Sequence, residues 1–389
     1  MPIPDIADEF PIDDSIVYLN HAAIAPWPRR TATAIQQFTE QNLTRGATDY
    51  LEWLKVENRL RIQLRQLINA DSCSEIALLK NTSEALSVVA YGLEWQSGDN
   101  IVSSDQEFPS NRIVWESLAP QGVELRTANL AQAESPEQAL IACCDKRTRL
   151  LTISSVQYAS GLRVDLKTIG DFCRANNILF CVDAIQSLGV HPLDVQAIGA
   201  DFVMADGHKW MLGPEGLALF YCRKQHLDKL KLHQYGWHMV EAVGDYCQHN
   251  WLPAKSARRF ECGSPNMLAI HALHASLSLL LELGIETVEK LVAERVDHML
   301  DLIKQRPQLS LISPLDPLRR SGIVTFCHQQ IDATHLYQLL MNAKVICAER
   351  GGGVRFSPHF YTSIATIDEA FKRLDQGIEQ HQSAESEGY

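Results

Sequence analysis

Residues from about 70 to 240 alternate between short apolar runs and segments with helical spacing, and this alternation limits the folds open to the chain. Strands that alternate with helices indicate βαβ units and a parallel sheet. The apolar runs lack strict apolar and polar alternation, as expected for strands that helices cover on both faces. The predicted strands are 76–79, 100–103, 123–126, 150–154, 178–182, 202–205 and 217–221, and the helices between them are 83–93, 111–118, 136–143 and 166–176.

The pattern changes after residue 263. Helices are predicted at 266–283, 288–305, 333–342 and 367–381, and strands at 309–312, 323–328, 345–348 and 354–357. We therefore predict an α/β fold with a large, mostly parallel-sheet domain over residues 31–262. A smaller α+β C-terminal domain is expected over 263–389. The proline-rich residues 1–30 are expected to form an arm that packs on one of the domains.

The charge balance argues against two classes of partner. The chain has 35 Lys and Arg against 47 Asp and Glu, a formal net charge of −12. Binding to nucleic acid or to anionic membranes relies on Lys and Arg, so neither partner is expected. No signal peptide or run of about 18 apolar residues is present, which predicts a cytoplasmic protein. The 10 cysteines form no CxxC pair, so we expect reduced thiols and no metal site.

Polar residues follow two of the predicted strands at the edge where an open parallel sheet binds ligands. Thr82 and Ser83 open a helix after strand 76–79, and free backbone N–H groups there can bind a phosphate. Ordinary N-capping is the alternative explanation. Asp183 directly follows strand 178–182, where a buried carboxylate requires a partner or shifts its pKa. A cationic pyridinium nitrogen would be such a partner, although an Asp that caps a turn explains the residue equally well.

Two cationic residues complete the pattern. Lys209 comes after strand 202–205, and a lysine held at the dry end of a sheet can form a Schiff base with a carbonyl cofactor. Arg355 follows the glycines at 351–353, and its planar guanidinium suits a substrate carboxylate. Each residue alone is more simply explained as a surface charge. Together with the phosphate site and Asp183 they describe a site for pyridoxal 5′-phosphate (PLP) that acts on an amino acid.

Several stretches resemble the class V aminotransferase family, the cysteine desulfurase-like branch of fold-type I PLP enzymes. They cover nearly the whole chain and lie at 18–23, 182–189, 207–210, 213–216, 259–266 and 355–361. The resemblance implies that the large domain binds PLP, that Lys209 links to it covalently, and that Asp183 pairs with its pyridine nitrogen. It also implies contacts for the rest of the cofactor, from Gln186 to the phenolic oxygen, from Thr82, Ser83 and His208 to the phosphate, and from Ser264 across a homodimer interface to the partner's phosphate.

Three positions are less regular. The stretch 107–111 resembles kynureninases, which implies that Phe108 stacks on the cofactor ring. Gln157 falls where relatives carry Asn or Gln near the ring oxygen. Asp206 replaces the family's frequent Ser in the phosphate cup, and a carboxylate there would repel phosphate unless it turns away.

The reaction is decided after the lysine amine has removed the α-proton. A cysteine desulfurase also needs a nucleophilic cysteine on a flexible loop before the clamp arginine. Cys347 is the nearest candidate to Arg355, but the interval is short and Cys347 lies in an apolar run, so we expect an inert core thiol.

An aminotransferase or a C–S lyase or epimerase is therefore expected, with kynureninase-like hydrolysis also open and cysteine desulfurase as the alternative. A PLP-binding regulatory protein is the alternative from another class, since fold alone does not prove function. His21 is predicted to contact the substrate. Trp237 is a further candidate, and loop packing is an alternative explanation for both His21 and Trp237. A structural role explains His359, beside Arg355, equally well.

Overall fold

The structure is a computed structural model that describes residues 6–130 and 135–387. Its strands are β1 (Val17–Tyr18), β2 (Ile76–Leu79), β3 (Asn100–Ser104), β4 (Glu124–Ala128), β5 (Thr148–Ser154), β6 (Leu179–Asp183), β7 (Phe202–Asp206), β8 (Ala218–Cys222), β9 (Leu309–Leu311), β10 (Val324–His328), β11 (Val345–Ile346), β12 (Ala348–Arg350) and β13 (Gly353–Phe356). Its helices are α1 (Ile6–Glu9), α2 (Arg29–Arg45), α3 (Tyr50–Leu67), α4 (Thr82–Gly92), α5 (Ser110–Glu116), α6 (Pro136–Ala142), α7 (Leu166–Asn176), α8 (Met267–Leu283), α9 (Ile285–Lys304), α10 (Ala333–Asn342) and α11 (Ile364–Glu387).

The large sheet has seven strands in the order β2-β8-β7-β6-β5-β3-β4. Neighbouring strands pair in parallel through β7, β6, β5, β3 and β4. Strand β8 is antiparallel to both of its neighbours, β2 and β7. All residues of β3, β7 and β8 are buried, which agrees with strands covered on both faces. The predicted α/β fold with a mostly parallel sheet is confirmed, and each strand predicted for this sheet is present.

A second sheet lies nearer the C-terminus. Its four strands are antiparallel in the order β12-β13-β10-β9. The predicted strand 345–348 is divided at Cys347, because β11 pairs with β1 of the arm while β12 pairs with β13. The predicted helix boundary at 288 moves to Ile285, because Gly284, with φ 81°, separates α8 from α9.

The N-terminal arm runs along the C-terminal part of the chain. After the β1–β11 pair, Asn20 forms a bridge with Ser357, and the chain then turns toward the large sheet. Helix α8 packs on α2 and α3, and Thr31 Oγ1 lies 2.7 Å from Ser276 Oγ. The division of the chain at residues 30 and 262 stays a prediction.

The apolar helix α8 is mostly buried in the protein. Among the described residues no single helix has the length and apolar composition needed to cross a membrane. Only α8 and α9 taken together have them, and these two helices bend by 82° at the break between them.

Candidate active site

A cavity of about 260 Å³ lies at the carboxyl ends of β6 and β7. The start of α4, residues 22–24 of the arm and the β12–β13 hairpin also contribute to its lining. Three separate parts of the chain therefore meet where an open parallel sheet binds ligands. Eight predicted site residues line this cavity, and they are Thr82, Ser83, Phe108, Asp183, Gln186, His208, Lys209 and Arg355.

Lys209 is half-buried and Asp183 is buried, so both side chains have limited contact with water. Burial lowers the pKa of Lys209 to about 8, although the negative charge of Asp183 opposes this shift. Burial also raises the pKa of Asp183 to about 7, and nearby Glu107 adds to the rise. Asp183 accepts a hydrogen bond from the Ile185 backbone N–H at 3.0 Å. A buried carboxylate of this kind fits a cationic pyridinium, whose charge would favour the ionised form.

One end of the cavity is rich in hydrogen-bond donors. Helix α4 begins at Thr82, with Asn81 as its N-cap, and the Ser83 hydroxyl donates to Ser110 Oγ at 2.9 Å. Ser110 and His208 line the same end. The hydroxyls, the imidazole and the N-terminus of an 11-residue helix form a donor set that fits a phosphate group.

Asp206 also lies in this donor-rich end and does not turn away from it. Its Oδ2 accepts the Thr82 backbone N–H at 3.1 Å, while its own N–H donates to Thr82 Oγ1 at 3.1 Å. Its Oδ1 is buried without a hydrogen-bond partner, as is His208 Nδ1, and these two atoms are 3.8 Å apart. The carboxylate thus occupies one of the donors that a phosphate would use.

Phe108 and Gln186 lie beside Lys209 along the cavity. The Phe108 ring centroid is 5.7 Å from Lys209 Nζ, and the ring makes an edge contact with Tyr158. Gln186 Nε2 donates to the Ala22 carbonyl at 3.0 Å, and its Oε1 accepts from the indole of Trp210. The second N–H of its amide remains available to a ligand.

Glu107 is a buried carboxylate close to Asp183 that the sequence analysis did not identify as a site residue. Glu107 accepts hydrogen bonds from the Ser154 backbone N–H, from Asn111 Nδ2 and from Gln157 Nε2 at 2.9, 2.8 and 3.0 Å. Gln157 is fully buried and is not among the described residues that line the cavity. Its predicted contact with the ring oxygen stays a prediction, and its place in the Glu107 network could not be read from sequence spacing.

Arg355 faces the cavity from β13 and has little contact with water. Its Nη1 donates to the Tyr158 carbonyl at 2.7 Å, whereas its Nε is buried without a partner. Burial, and then the positive charge of Arg350, lower the pKa of Arg355 to about 9. A buried guanidinium with an unused donor fits an incoming carboxylate.

Two further predicted site residues, like Gln157, lie outside the lining of the cavity. His21 is fully buried, with Nδ1 donating to the Ser357 carbonyl at 2.7 Å and Nε2 accepting from the Tyr361 hydroxyl at 2.6 Å. Burial lowers the pKa of His21 to about 4, so the ring is neutral. Ser264 is exposed and lines a different cavity beside Gly216. The predicted contacts of His21 with substrate and of Ser264 with a partner's phosphate stay predictions.

The further candidates also lie outside the lining of the cavity. Trp237 lines a separate surface cavity with Tyr235 and Trp251. His359 is fully buried, and its Nε2 lies 3.1 Å from the Trp210 carbonyl. This buried position favours a structural role for His359.

Three residues outside the site have ligand atoms close enough to hold a cation. Glu57, His238 and Glu261 offer atoms that lie within 4.8 Å of one another. Arg61 already bonds both carboxylates, at 2.6 Å to Glu57 Oε1 and 2.7 Å to Glu261 Oε1. The guanidinium supplies the positive charge there, and we assign no metal to this cluster.

Cys347 is buried, as the sequence predicts. Its side chain is 3% exposed, and burial raises the pKa of its thiol to about 12. Among the described residues none of those lining the cavity is a cysteine. Burial of this kind favours the neutral thiol over the reactive thiolate.

The family model of class-V aminotransferases matches residues 17–366, and the chain belongs to this family. The family's enzymes depend on PLP, and the cavity described above has the side chains that such a cofactor requires. The recognition from sequence is thereby confirmed, as is the prediction of a PLP-dependent enzyme.

Two curated relatives illustrate the similarity. The chain is 29% identical to a probable cysteine desulfurase of Methanothermobacter thermautotrophicus, over 97% of this chain and 98% of the relative. It is 30% identical to a cysteine desulfurase of Pectobacterium carotovorum, over 84% of this chain and 82% of the relative.

A solved structure shares the fold. The cystine C–S lyase C-DES, in complex with its product cysteine persulfide, has a TM-score of 0.85 and 22% sequence identity to this chain. The match covers 93% of this chain and 97% of C-DES. This likeness establishes the architecture and, at that identity, nothing finer.

Proposed function

We propose that the chain is a PLP-dependent lyase that breaks the Cβ–S bond of a sulfur-containing amino acid without carrying sulfur on an enzyme cysteine. The observation that carries this proposal is the set of side chains around the cavity. A half-buried amine, a buried carboxylate and a buried guanidinium meet there, and no cysteine is among the described lining residues.

Each of these three residues has a separate role that follows from its position in the cavity. Arg355 would bind the α-carboxylate through its unused donor, which fixes the direction of the amino acid in the cavity. Lys209, with a pKa of about 8, would accept the α-proton near neutral pH. Bound PLP would supply an electron-withdrawing ring, and Asp183 would hold the positive charge on its pyridine nitrogen.

The bond changes then balance with one water. The Cα–H and Cβ–S bonds break, a carbon–carbon double bond forms, and the sulfur leaves with a proton from Lys209, as hydrogen sulfide from cysteine or as a persulfide from cystine. Hydrolysis of the released enamine consumes one water and gives pyruvate and ammonium. No oxidant or reductant is required.

The remaining cofactor contacts are part of the same proposal. Thr82, Ser83 and His208 would bind the phosphate, and Gln186 would donate its free amide N–H to the phenolic oxygen. Phe108 would pack against the ring. Their shared location along one cavity supports these assignments.

Cysteine desulfurase is the second candidate, because the curated relatives carry that name at 29% and 30% identity. It would require a thiol that reaches the cavity. Cys347 is buried in the sheet region, whereas Cys247 is exposed on the segment 235–252. Product analysis must therefore include a variant of each of these two cysteines.

The experiment is product analysis with purified, PLP-loaded enzyme and L-cysteine or L-cystine. We expect pyruvate and ammonium in equal amounts, no alanine, loss of turnover in Lys209→Ala, and unchanged products in Cys347→Ser and Cys247→Ser. Alanine formed together with sulfide, and lost in either Ser variant, would assign a desulfurase instead. Amine transfer to a 2-oxo acid would assign an aminotransferase, and bound PLP without any turnover would assign a binding protein.

We also propose that the enzyme is a cytoplasmic homodimer in which Ser264 faces the partner's cofactor. Ser264 is exposed and lies outside the active-site cavity of its own subunit, which supports a contact across an interface. The segment 235–252 exposes several large apolar side chains, including Tyr235, Tyr246 and Leu252, as expected of an association surface. Sedimentation of the holoenzyme tests this, and a monomer with full activity would contradict it.

A further inference from the structure

We propose that Trp210 is a positioning residue, whose indole N–H fixes the Gln186 amide so that one amide N–H can donate to the phenolic oxygen of PLP. The proposal rests on the cofactor contact proposed for Gln186, and it adds the group that orients this amide. Trp210 directly follows Lys209 in the chain. It is fully buried, and it is not among the described residues that line the active-site cavity.

The Gln186 amide is held at both ends by groups that can play only one role. Its Nε2 lies 3.0 Å from the Ala22 carbonyl, which can only accept a hydrogen bond. Its Oε1 lies 3.0 Å from the indole nitrogen of Trp210, which can only donate. Turning the amide over would set oxygen against oxygen and N–H against N–H, and both hydrogen bonds would be lost. The protein therefore determines the orientation of this amide before a ligand binds.

The two neighbours of the amide differ in their position relative to the cavity. Ala22 and Gln186 line the cavity, whereas Trp210 is fully buried. The nitrogen end of the amide thus lies on the cavity side, and the oxygen end is directed into the protein. One N–H of Nε2 is used by the Ala22 carbonyl, so the second N–H stays free for an acceptor in the cavity. The phenolic oxygen of PLP would be such an acceptor.

Trp210 is itself held in place by contacts elsewhere in the protein. Its carbonyl accepts a hydrogen bond from His359 Nε2 at 3.1 Å, and His359 Nδ1 accepts from the Phe360 backbone N–H at 2.8 Å. The His359 ring is neutral, since burial lowers its pKa well below the usual value, and this leaves Nε2 as the donor. The indole packs closely on Gly322, where a Cβ atom would lie 2.5 Å from Cη2 of Trp210.

The Ala22 carbonyl is fixed by the contact between the N-terminal arm and β13. The Ala22 N–H donates to Ser357 Oγ at 2.9 Å, and the Ser357 N–H donates to the Leu19 carbonyl at 2.8 Å. Without the indole N–H, only this side of the amide would remain tied, and Oε1 would be buried without a donor. The amide would then turn in the empty site to satisfy its oxygen, and PLP would have to turn it back on binding.

A pair of cofactors that differ in one oxygen tests the proposal. 3-Deoxypyridoxal 5′-phosphate lacks the phenolic oxygen of PLP and keeps the aldehyde and the phosphate. The Kd of each compound for the apoprotein is measured by equilibrium dialysis, and the Kd of the deoxy compound is divided by that of PLP. For Trp210→Phe we expect this ratio to fall about tenfold from the wild-type value, the size of one hydrogen bond. A loss of packing alone would weaken both compounds equally and leave the ratio unchanged.

Two further proteins control for the change of side chain. Trp53→Phe is the matched control, because Trp53 is also buried and its indole N–H donates to a glutamine oxygen, Gln41 Oε1, at 3.2 Å. Neither residue is among the described residues that line the cavity, so this variant should keep the wild-type ratio. Replacement of Trp210 by benzothienylalanine keeps the two-ring shape and puts sulfur in place of the N–H. It should lower the ratio as Trp210→Phe does, and it serves if the phenylalanine variant does not fold.

Gln186→Ala separates this proposal from the contact on which it rests. We expect the ratio to fall at least as far as in Trp210→Phe, and the double variant should show no further fall. A ratio that stays at the wild-type value in the Trp210 variants would overturn the proposal, and so would a further fall in the double variant. An unchanged ratio in Gln186→Ala would remove the contact of Gln186 and this proposal with it. None of these measurements requires turnover, so the lyase function is tested separately by its products.

Discussion

Asp183→Asn should stabilise the cofactor-free protein and weaken cofactor binding. Asp183 is 2% exposed, and burial raises its pKa from 3.8 to about 7. The folded chain therefore holds a proton that the unfolded chain releases, and stability falls as pH rises through the window between these two values. At 1.36 kcal/mol per pKa unit, the ionised carboxylate costs roughly 4 kcal/mol above pH 7.

The net gain should be smaller than this cost. The variant also loses the attraction between Asp183 and Lys209, which offsets part of the gain. The Ile185 N–H keeps an acceptor, because the Asn side chain retains an oxygen at that place. We expect the free energy of unfolding of the apoprotein to rise by about 2 kcal/mol at pH 8, and by less at pH 5.

The holoprotein should change in the opposite direction. Without the carboxylate, the charge of the pyridinium is unpaired in a buried site, and the Kd for PLP should rise by about 100-fold. Chemical unfolding of apoprotein and PLP-loaded protein at pH 5 and pH 8 measures both effects. A variant whose apoprotein is destabilised at pH 8, or which binds PLP as tightly as the wild type, would refute the assignment of Asp183.

Three further variants test separate parts of the site. Lys209→Ala should abolish turnover and the covalent link to PLP; after borohydride reduction, its mass should show no attached cofactor, and attached cofactor would count against this lysine. Arg355→Lys should raise KM for an amino acid about tenfold while affecting the corresponding amide less, since the bidentate grip is lost; equal effects on both would argue against the clamp. Asp206→Asn keeps an acceptor for the Thr82 N–H and removes a negative charge, so the Kd for PLP should fall about tenfold. Unchanged or weaker affinity would mean that the carboxylate does not oppose the phosphate.

Much of the fold could be predicted because its strands are short apolar runs, and polar residues separate them from the helices on either side. Strand β6 is an example, since Leu179–Asp183 is apolar until its final carboxylate. The same order of residues also locates the site, because ligands bind after such strand ends. Lys209 and Asp183 were thus predictable from their positions relative to β6 and β7.

The contacts between distant segments could not be predicted. Glu107 and Gln157 lie 50 residues apart and become partners only through the packing of the sheet. His21 precedes residues that line the cavity, yet its own side chain is held by Ser357 and Tyr361. The position of Asp206 depends on the Thr82 N–H, which no local pattern in the sequence indicates.

We propose that this enzyme releases sulfur without storing it on a cysteine. Intact-protein mass spectrometry of the PLP-loaded enzyme during turnover of L-cysteine or L-cystine tests it directly. We predict that pyruvate accumulates while the protein mass after cofactor removal stays that of the unmodified chain. A protein that gains the mass of a sulfur atom, loses it on reduction by a thiol, and no longer gains it in Cys347→Ser or in Cys247→Ser would contradict this proposal.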